Sequence, residues 1–150
     1  METRSLKASW IMLMIPYIVL LLLGLALTVA PGLFIGQGYK SFLGQSWSDL
    51  VASNNNLSLY ISLHFRLLGV MFVTQSILLI GITLTAYRKG EKWTWYVFLG
   101  GNTLGWGSGL ALDAIQGLKA NVIIEAIILL IVYVGLAISA KAMLTKTGQL

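Results

Sequence analysis

WIMLMIPYIVLLLLGLALTVAPGLF (residues 10–34) contains no charged side chain, and the uncharged run around it extends over residues 8–39. A helix needs about 20 predominantly apolar residues to cross a bilayer, so this stretch reads as a membrane span. Three more apolar segments follow, over about residues 57–87, 93–117 and 120–140. None of them alternates strictly between apolar and polar, so helices are expected rather than barrel strands. The expected fold is all-α: a single domain over residues 1–150, built as an antiparallel four-transmembrane-helix bundle.

Composition agrees. The chain is 57% apolar and 10% charged, against roughly a quarter charged in soluble domains. A water-soluble molecule of this size has too little interior to hide that much apolar surface. A cleaved signal peptide is the rival reading of the first segment, because Arg4 and Lys7 precede it. The run is too long for one, and a cleavage point after Ala30 would place Pro31 next to the cut. An uncleaved first helix is expected.

Basic residues outside the spans set the orientation. Arg4, Lys7, Arg88, Lys89, Lys92, Lys141 and Lys146 fall on one side, and Lys40 and Lys119 on the other. By the positive-inside rule both termini face the cytoplasm of a multi-pass protein in the cell membrane. The net charge of +5 then serves orientation and lipid head-group contact, not nucleic-acid binding.

With no cysteine in the chain, disulfides, thiol redox chemistry, iron–sulfur ligation and a lipoprotein anchor are excluded. One histidine excludes a bis-histidine haem or a multi-histidine metal centre within one subunit. No metal site and no cofactor held by the chain's own ligands are expected. Quinone or lipid remain as mobile molecules that the bilayer itself supplies.

The first outer connection, residues 36–56, is the long one. Within it Leu43, Trp47, Leu50 and Val51 recur at helical spacing among serines, Gln45 and Asp49. This predicts a short amphipathic helix in the interface. The run Ser53-Asn54-Asn55-Asn56 is expected to break structure before the second span.

The third segment is the least apolar. Gly101, Gly105 and Gly109 repeat at four-residue spacing, a pattern that lets a neighbouring helix backbone approach closely. Asn102, Trp106, Gly109, Asp113 and Gln116 share one face at 3.6 residues per turn. This helix is expected to be the most buried of the four, with its glycine ridge leaving no room for a larger side chain. Its polar stripe reads either as interhelical glue or as a cleft for a ligand or proton.

Four ionisable residues interrupt the spans: His64, Arg66, Asp113 and Glu125. By helical rise they fall in one layer near the outer face. Charge in hydrocarbon costs several kcal/mol unless paired or wet. His64 and Arg66 stand about 200° apart and cannot share a face. Arg66 aligns with Ser62, Gly69 and Val73, and His64 with Tyr60, Met71 and Gln75. The small residues on the Arg66 face place it against a neighbouring helix, where a carboxylate of Asp113 or Glu125 is the expected partner. The remaining acid, Glu125 for preference, is left for His64 or water.

The turn Tyr87-Arg88-Lys89-Gly90-Glu91-Lys92-Trp93-Thr94-Trp95-Tyr96 anchors basic residues inside, reverses at Gly90 and sets an aromatic belt at the interface. It also resembles the Arg-x-Gly-Glu-basic-Trp-x-Trp turn between the second and third spans of small DoxX-like bacterial and archaeal membrane proteins. Val29-Ala30-Pro31-Gly32-Leu33-Phe34 is similar to the end of their first span. The resemblance implies a four-span layout and, for some members, a place as membrane subunit of an oxidoreductase assembly, including quinone-linked oxidation of thiosulfate. It carries no catalytic residue over to this chain.

Three functions are weighed from these features. The first is a non-catalytic accessory subunit of a larger membrane assembly, with a quinone link, partnered by other membrane subunits or by itself. The second is a proton-coupled small-solute carrier working as a homo-oligomer, with Glu125 or Asp113 protonatable. The third is an enzyme acting on a lipid or quinone head group with His64 as base.

Overall fold

The computed structural model describes residues 4–145. They form helices α1 (Arg4–Val29), α2 (Gly32–Leu43), α3 (Trp47–Ser53), α4 (Asn55–Ile82), a π-helical turn (Thr83–Tyr87), α5 (Lys92–Ile115) and α6 (Lys119–Leu144), with no strand among the described residues. Lys146, counted above on the basic side, lies outside them.

Local chemistry sets the breaks. Pro31 has no N–H to donate and disfavours helical geometry in the residue before it, so α1 stops at Val29 and a separate helix starts at Gly32. The first apolar segment, expected to run unbroken to Phe34, is therefore two helices. Gly44 then caps α2 at φ 69°, a left-handed conformation that favours glycine. It separates Leu43 from Trp47, so the expected amphipathic helix starts only at Trp47. A capping box opens that helix: Asp49 N–H donates to Ser46 Oγ at 3.1 Å, and Ser46 N–H to Asp49 Oδ2 at 3.3 Å. The expected break before the second span shrinks to Asn54, whose Oδ1 accepts from Leu57 N–H at 3.0 Å and caps α4. Gly90 turns the chain at φ 80°, and Gly117 does so between α5 and α6 at φ 73°.

α1, α4 with the π turn, and α6 are each long and apolar enough to cross a membrane, with mean hydropathy 2.5, 2.2 and 2.7 over their best windows. α5 has 24 residues, about 36 Å at 1.5 Å per residue. Asn102, the glycines and the tryptophans keep it out of that apolar set.

α1 is the centre of the packing, with α4 on one side and α6 on the other, and α5 lies against α6. It is α1, not α5, that is most buried: Leu6, Ser9, Leu13, Pro16, Tyr17, Leu20, Gly24 and Leu27 are inside, against Thr94, Phe98 and Asn102 in α5. The core gathers at the end that holds the start of α1 and the end of α6. Leu6, Leu13, Tyr17, Tyr87, Phe98, Val132, Leu136 and Met143 meet there, with Tyr17 edge-on to Phe98 and Tyr87 stacked on it.

Within this apolar knot the Tyr87 hydroxyl stands 2.6 Å from both Ser9 Oγ and Ser139 Oγ. Ser139 gives its own proton to the Leu136 carbonyl at 3.0 Å, so Tyr87 donates to Ser139 and accepts from Ser9. The π turn, closed by Arg88 N–H donating to Thr83 O at 3.0 Å, ends on this tyrosine. One residue thereby ties α4 to α1 and α6.

At the other end the close helix contact is between α1 and α4. A Cβ added to Gly69 would stand 2.6 Å from Thr28 N and 2.7 Å from Gly24 O, and one on Gly24 would stand 2.8 Å from Gly69 O and from Val73 N. These are backbone atoms, which cannot step aside. Gly69 therefore lies on a packing face as its alignment with Ser62, Arg66 and Val73 predicts. Gly101 and Gly105 do not: an added Cβ meets nothing within 4 Å at either. The expected ridge on the third span has no helix against it in this chain, because α5 turns that face toward a space between itself and α4.

Gly24→Ala and Gly69→Ala are each expected to lower stability by about 1–3 kcal/mol through overpacking. Gly105→Ala should be neutral or stabilising by up to about 1 kcal/mol, since alanine is the better helix former. Thermal unfolding in mild detergent checks this, and equal losses at all three sites would contradict it.

Candidate ligand cleft between α4 and α5

The space beside the α5 glycines is a cleft of about 220 Å³. α1 forms its floor with Leu20 and Leu23, and α4 one wall with Phe72, Gln75 and Leu79. α5 forms the other wall with Val97, Gly101, Asn102, Gly105, Trp106 and Gly109, and Glu125 of α6 closes one end. Glycine at four-residue spacing, which permits close helix contact, serves here to keep a wall free of side chains.

Asn102 sits at the boundary between core and cleft, 5% exposed. Its Nδ2 donates to the Phe98 carbonyl at 2.8 Å and to the Tyr17 hydroxyl at 3.0 Å. A carbonyl only accepts, so the amide orientation follows from the Phe98 contact. Both N–H donors are thus used, and the acceptor Oδ1 has no partner among the described residues.

Glu125 is the second unpaired acceptor. Its Oε2 is buried without a hydrogen-bond partner. Its Oε1 lies against Gly109, where an added Cβ would come within 2.5 Å of it. At Gly109, where the spacing suggests a neighbouring helix backbone, the glycine admits a carboxylate instead. The charge that reaches Glu125 through space is that of Asp113, so acid neighbours acid.

The expected charged layer is therefore rearranged. Arg66 meets neither acid: its Nη1 donates to the Thr28 carbonyl at 2.8 Å. That carbonyl is in the last turn of α1, where the chain break at Pro31 removes intrahelical donors. A cation there also complements the helix dipole. His64 is exposed, its Nδ1 donating to the Tyr60 carbonyl at 2.8 Å with the ring against Tyr60, and it does not pair with Glu125. Gln116 caps α5, and its backbone carbonyl accepts from Ser41 Oγ at 3.0 Å; its side chain is not part of the cleft wall. Of the polar stripe predicted on α5, Asn102, Trp106 and Gly109 reach the cleft.

Sequence reading did not single out Phe72 or the α1 leucines, which carry no signal beyond being apolar. Gln75 did carry one, as an amide in mid-span. Among the described residues no group of three or more His, Cys, Asp or Glu is placed to hold a metal ion. Comparison with known protein families, curated proteins and solved structures returns no match.

Arg66→Ala should cost about 1 kcal/mol, the scale of one hydrogen bond at an exposed site. The loss should be additive, within about 0.5 kcal/mol, with Asp113→Ala and with Glu125→Ala. A double-mutant cycle by thermal unfolding checks this. Coupling well above that limit with either acid would restore the ion pair that the sequence suggested.

Proposed function

We propose that this chain is a four-span integral membrane protein, with α1, α4, α5 and α6 crossing the cell membrane and both termini cytoplasmic. In this reading α2 and α3 lie in the outer interface. It acts as a non-catalytic binding subunit that takes an amphiphile from the bilayer into the α4–α5 cleft and presents it to a larger membrane assembly. The DoxX-like resemblance fits a four-span subunit of this kind.

One observation carries the reading: the glycine face of α5 borders a cavity, not a packed helix, inside a molecule otherwise closely packed around α1. The α1 floor and, apart from Gln75, the α4 wall are apolar and suit a chain or ring. The other polar groups, Asn102, Trp106 and Glu125, converge from α5 and α6. An apolar cavity with a few convergent polar groups is the usual form of a small-molecule site. At about 220 Å³ it falls below the roughly 300–1,000 Å³ of pockets that enclose a drug-sized ligand. It suits a head group and the first part of a chain, with the rest of the tail left in lipid.

The absence of cysteine supplies the test. Gly105→Cys puts a single thiol in the cleft wall, where a Cβ has space, and Leu104→Cys puts one on the outer face of the same helix, at a residue 75% exposed. In phosphatidylcholine nanodiscs, a dodecyl amphiphile should slow the reaction of the first thiol with a neutral methanethiosulfonate reagent and leave the second unaffected. Equal rates with and without amphiphile at Gly105→Cys would overturn the binding reading.

A further inference from the structure

Resting on the cleft reading, the chemistry of two acceptors in its wall, Asn102 Oδ1 and Glu125 Oε2, selects the head group. We propose that the cleft prefers an amphiphile whose head is a hydrogen-bond-donating cation, a primary or secondary ammonium on an apolar chain, seated between Asn102 Oδ1 and the Glu125 carboxylate.

The argument is one of unmet valence. Asn102 is 95% buried by its 5% exposure, lines the cleft, and has spent both amide protons on Phe98 and Tyr17. What it offers the cleft is an acceptor. Glu125 Oε2 is buried and unpartnered, and an ionised carboxylate only accepts. A buried polar group left without a partner is costly and calls for explanation by an ion, water or ligand. A group with two or more N–H donors satisfies Glu125 Oε2 and serves Asn102 Oδ1 at once.

Charge points the same way. The field that reaches Glu125 from another side chain is that of Asp113, of the same sign. The cation that sequence reading assigned to these acids, Arg66, is held by the Thr28 carbonyl. No lysine or arginine completes an ion pair with Glu125 among the described residues. A ligand ammonium supplies the missing opposite charge in surroundings of low dielectric, where such pairing is strongest. Trp106 on the cleft wall adds an aromatic surface of the kind that attracts ammonium groups. An oxidised quinone is a poor match, because it has no donor to give the two acceptors. A fatty acid anion is worse, since it would face a carboxylate.

The experiment is thiol protection at Gly105→Cys by three probes of equal chain length: dodecylammonium, dodecanol and dodecanoate. Dodecylammonium should reach half-protection at about tenfold lower concentration in the bilayer than dodecanol, a difference of about 1.4 kcal/mol, with dodecanoate weakest. Glu125→Gln in the same background should abolish the preference, so that dodecylammonium and dodecanol protect at equal concentrations in that variant. A cooperative thermal unfolding transition in mild detergent shows that the variant is folded. Equal protection by dodecylammonium and dodecanol, or an ammonium preference that survives Glu125→Gln, overturns the head-group inference while leaving the cleft reading in place. Protection by none of the three overturns both.

Discussion

Hydrocarbon offers no hydrogen bonds, so every polar group in a span must find its partner inside the chain, and the structure is organised by that demand. Most hydroxyls meet it locally. Thr28, Thr74, Ser76, Thr83, Thr85 and Thr103 each donate to the carbonyl four residues earlier. This leaves few polar bonds between helices, and the buried ones lie in or beside the core. Tyr87 bridges Ser9 and Ser139, Trp95 Nε1 donates to the Leu136 carbonyl at 2.9 Å, and Asn102 reaches Tyr17. Among the described residues the buried side-chain atom left without a partner is Glu125 Oε2, and it belongs to the cleft.

The two ends of the bundle differ for the same reason. Toward the termini, large side chains of α1, α5 and α6 interlock around Tyr87 and Phe98. Toward α2 and α3, contact between α1 and α4 is maintained by glycine against backbone, Gly24 on Gly69, and is reinforced by Arg66 reaching the last turn of α1. α5 has no buried residue beyond Asn102, and α6 none before Ile128. The α5–α6 pair thus leaves the α1–α4 pair along the half of its length where the glycines lie. A gap between two well-packed pairs persists because each pair is stabilised internally and neither needs the other to close on it.

The sequence made the helical class, the apolar segments, the reversal at Gly90 and the packing role of Gly69 legible, since each follows from composition, period or backbone freedom. It did not disclose which helix the glycines of α5 would face. Small-xxx-small patterns look alike whether they admit a backbone, a carboxylate or open space, and Gly101, Gly105 and Gly109 divide among the last two. Gly24 and Thr28 carry the same spacing on α1 and are the pair in close contact. Helical phase puts Arg66 on the right face with the wrong partner, because it says where a guanidinium points and not whether the Thr28 carbonyl at the end of α1 lies nearer than an acid. The π turn, which decides where the Tyr87 hydroxyl stands, has no sequence signature in this chain.

The central claim is that α5, the least apolar of the long helices, crosses the membrane as a fourth span and so holds the cleft within the bilayer. Its most direct test is the side on which each end of the chain lies, read with paired reporters at the amino and carboxyl termini, one active only in the cytoplasm and the other only outside it. Four spans predict that both ends report the cytoplasm. Ends on opposite sides would mean an odd number of crossings, with α5 outside the membrane and no bilayer ligand for its glycine face to receive.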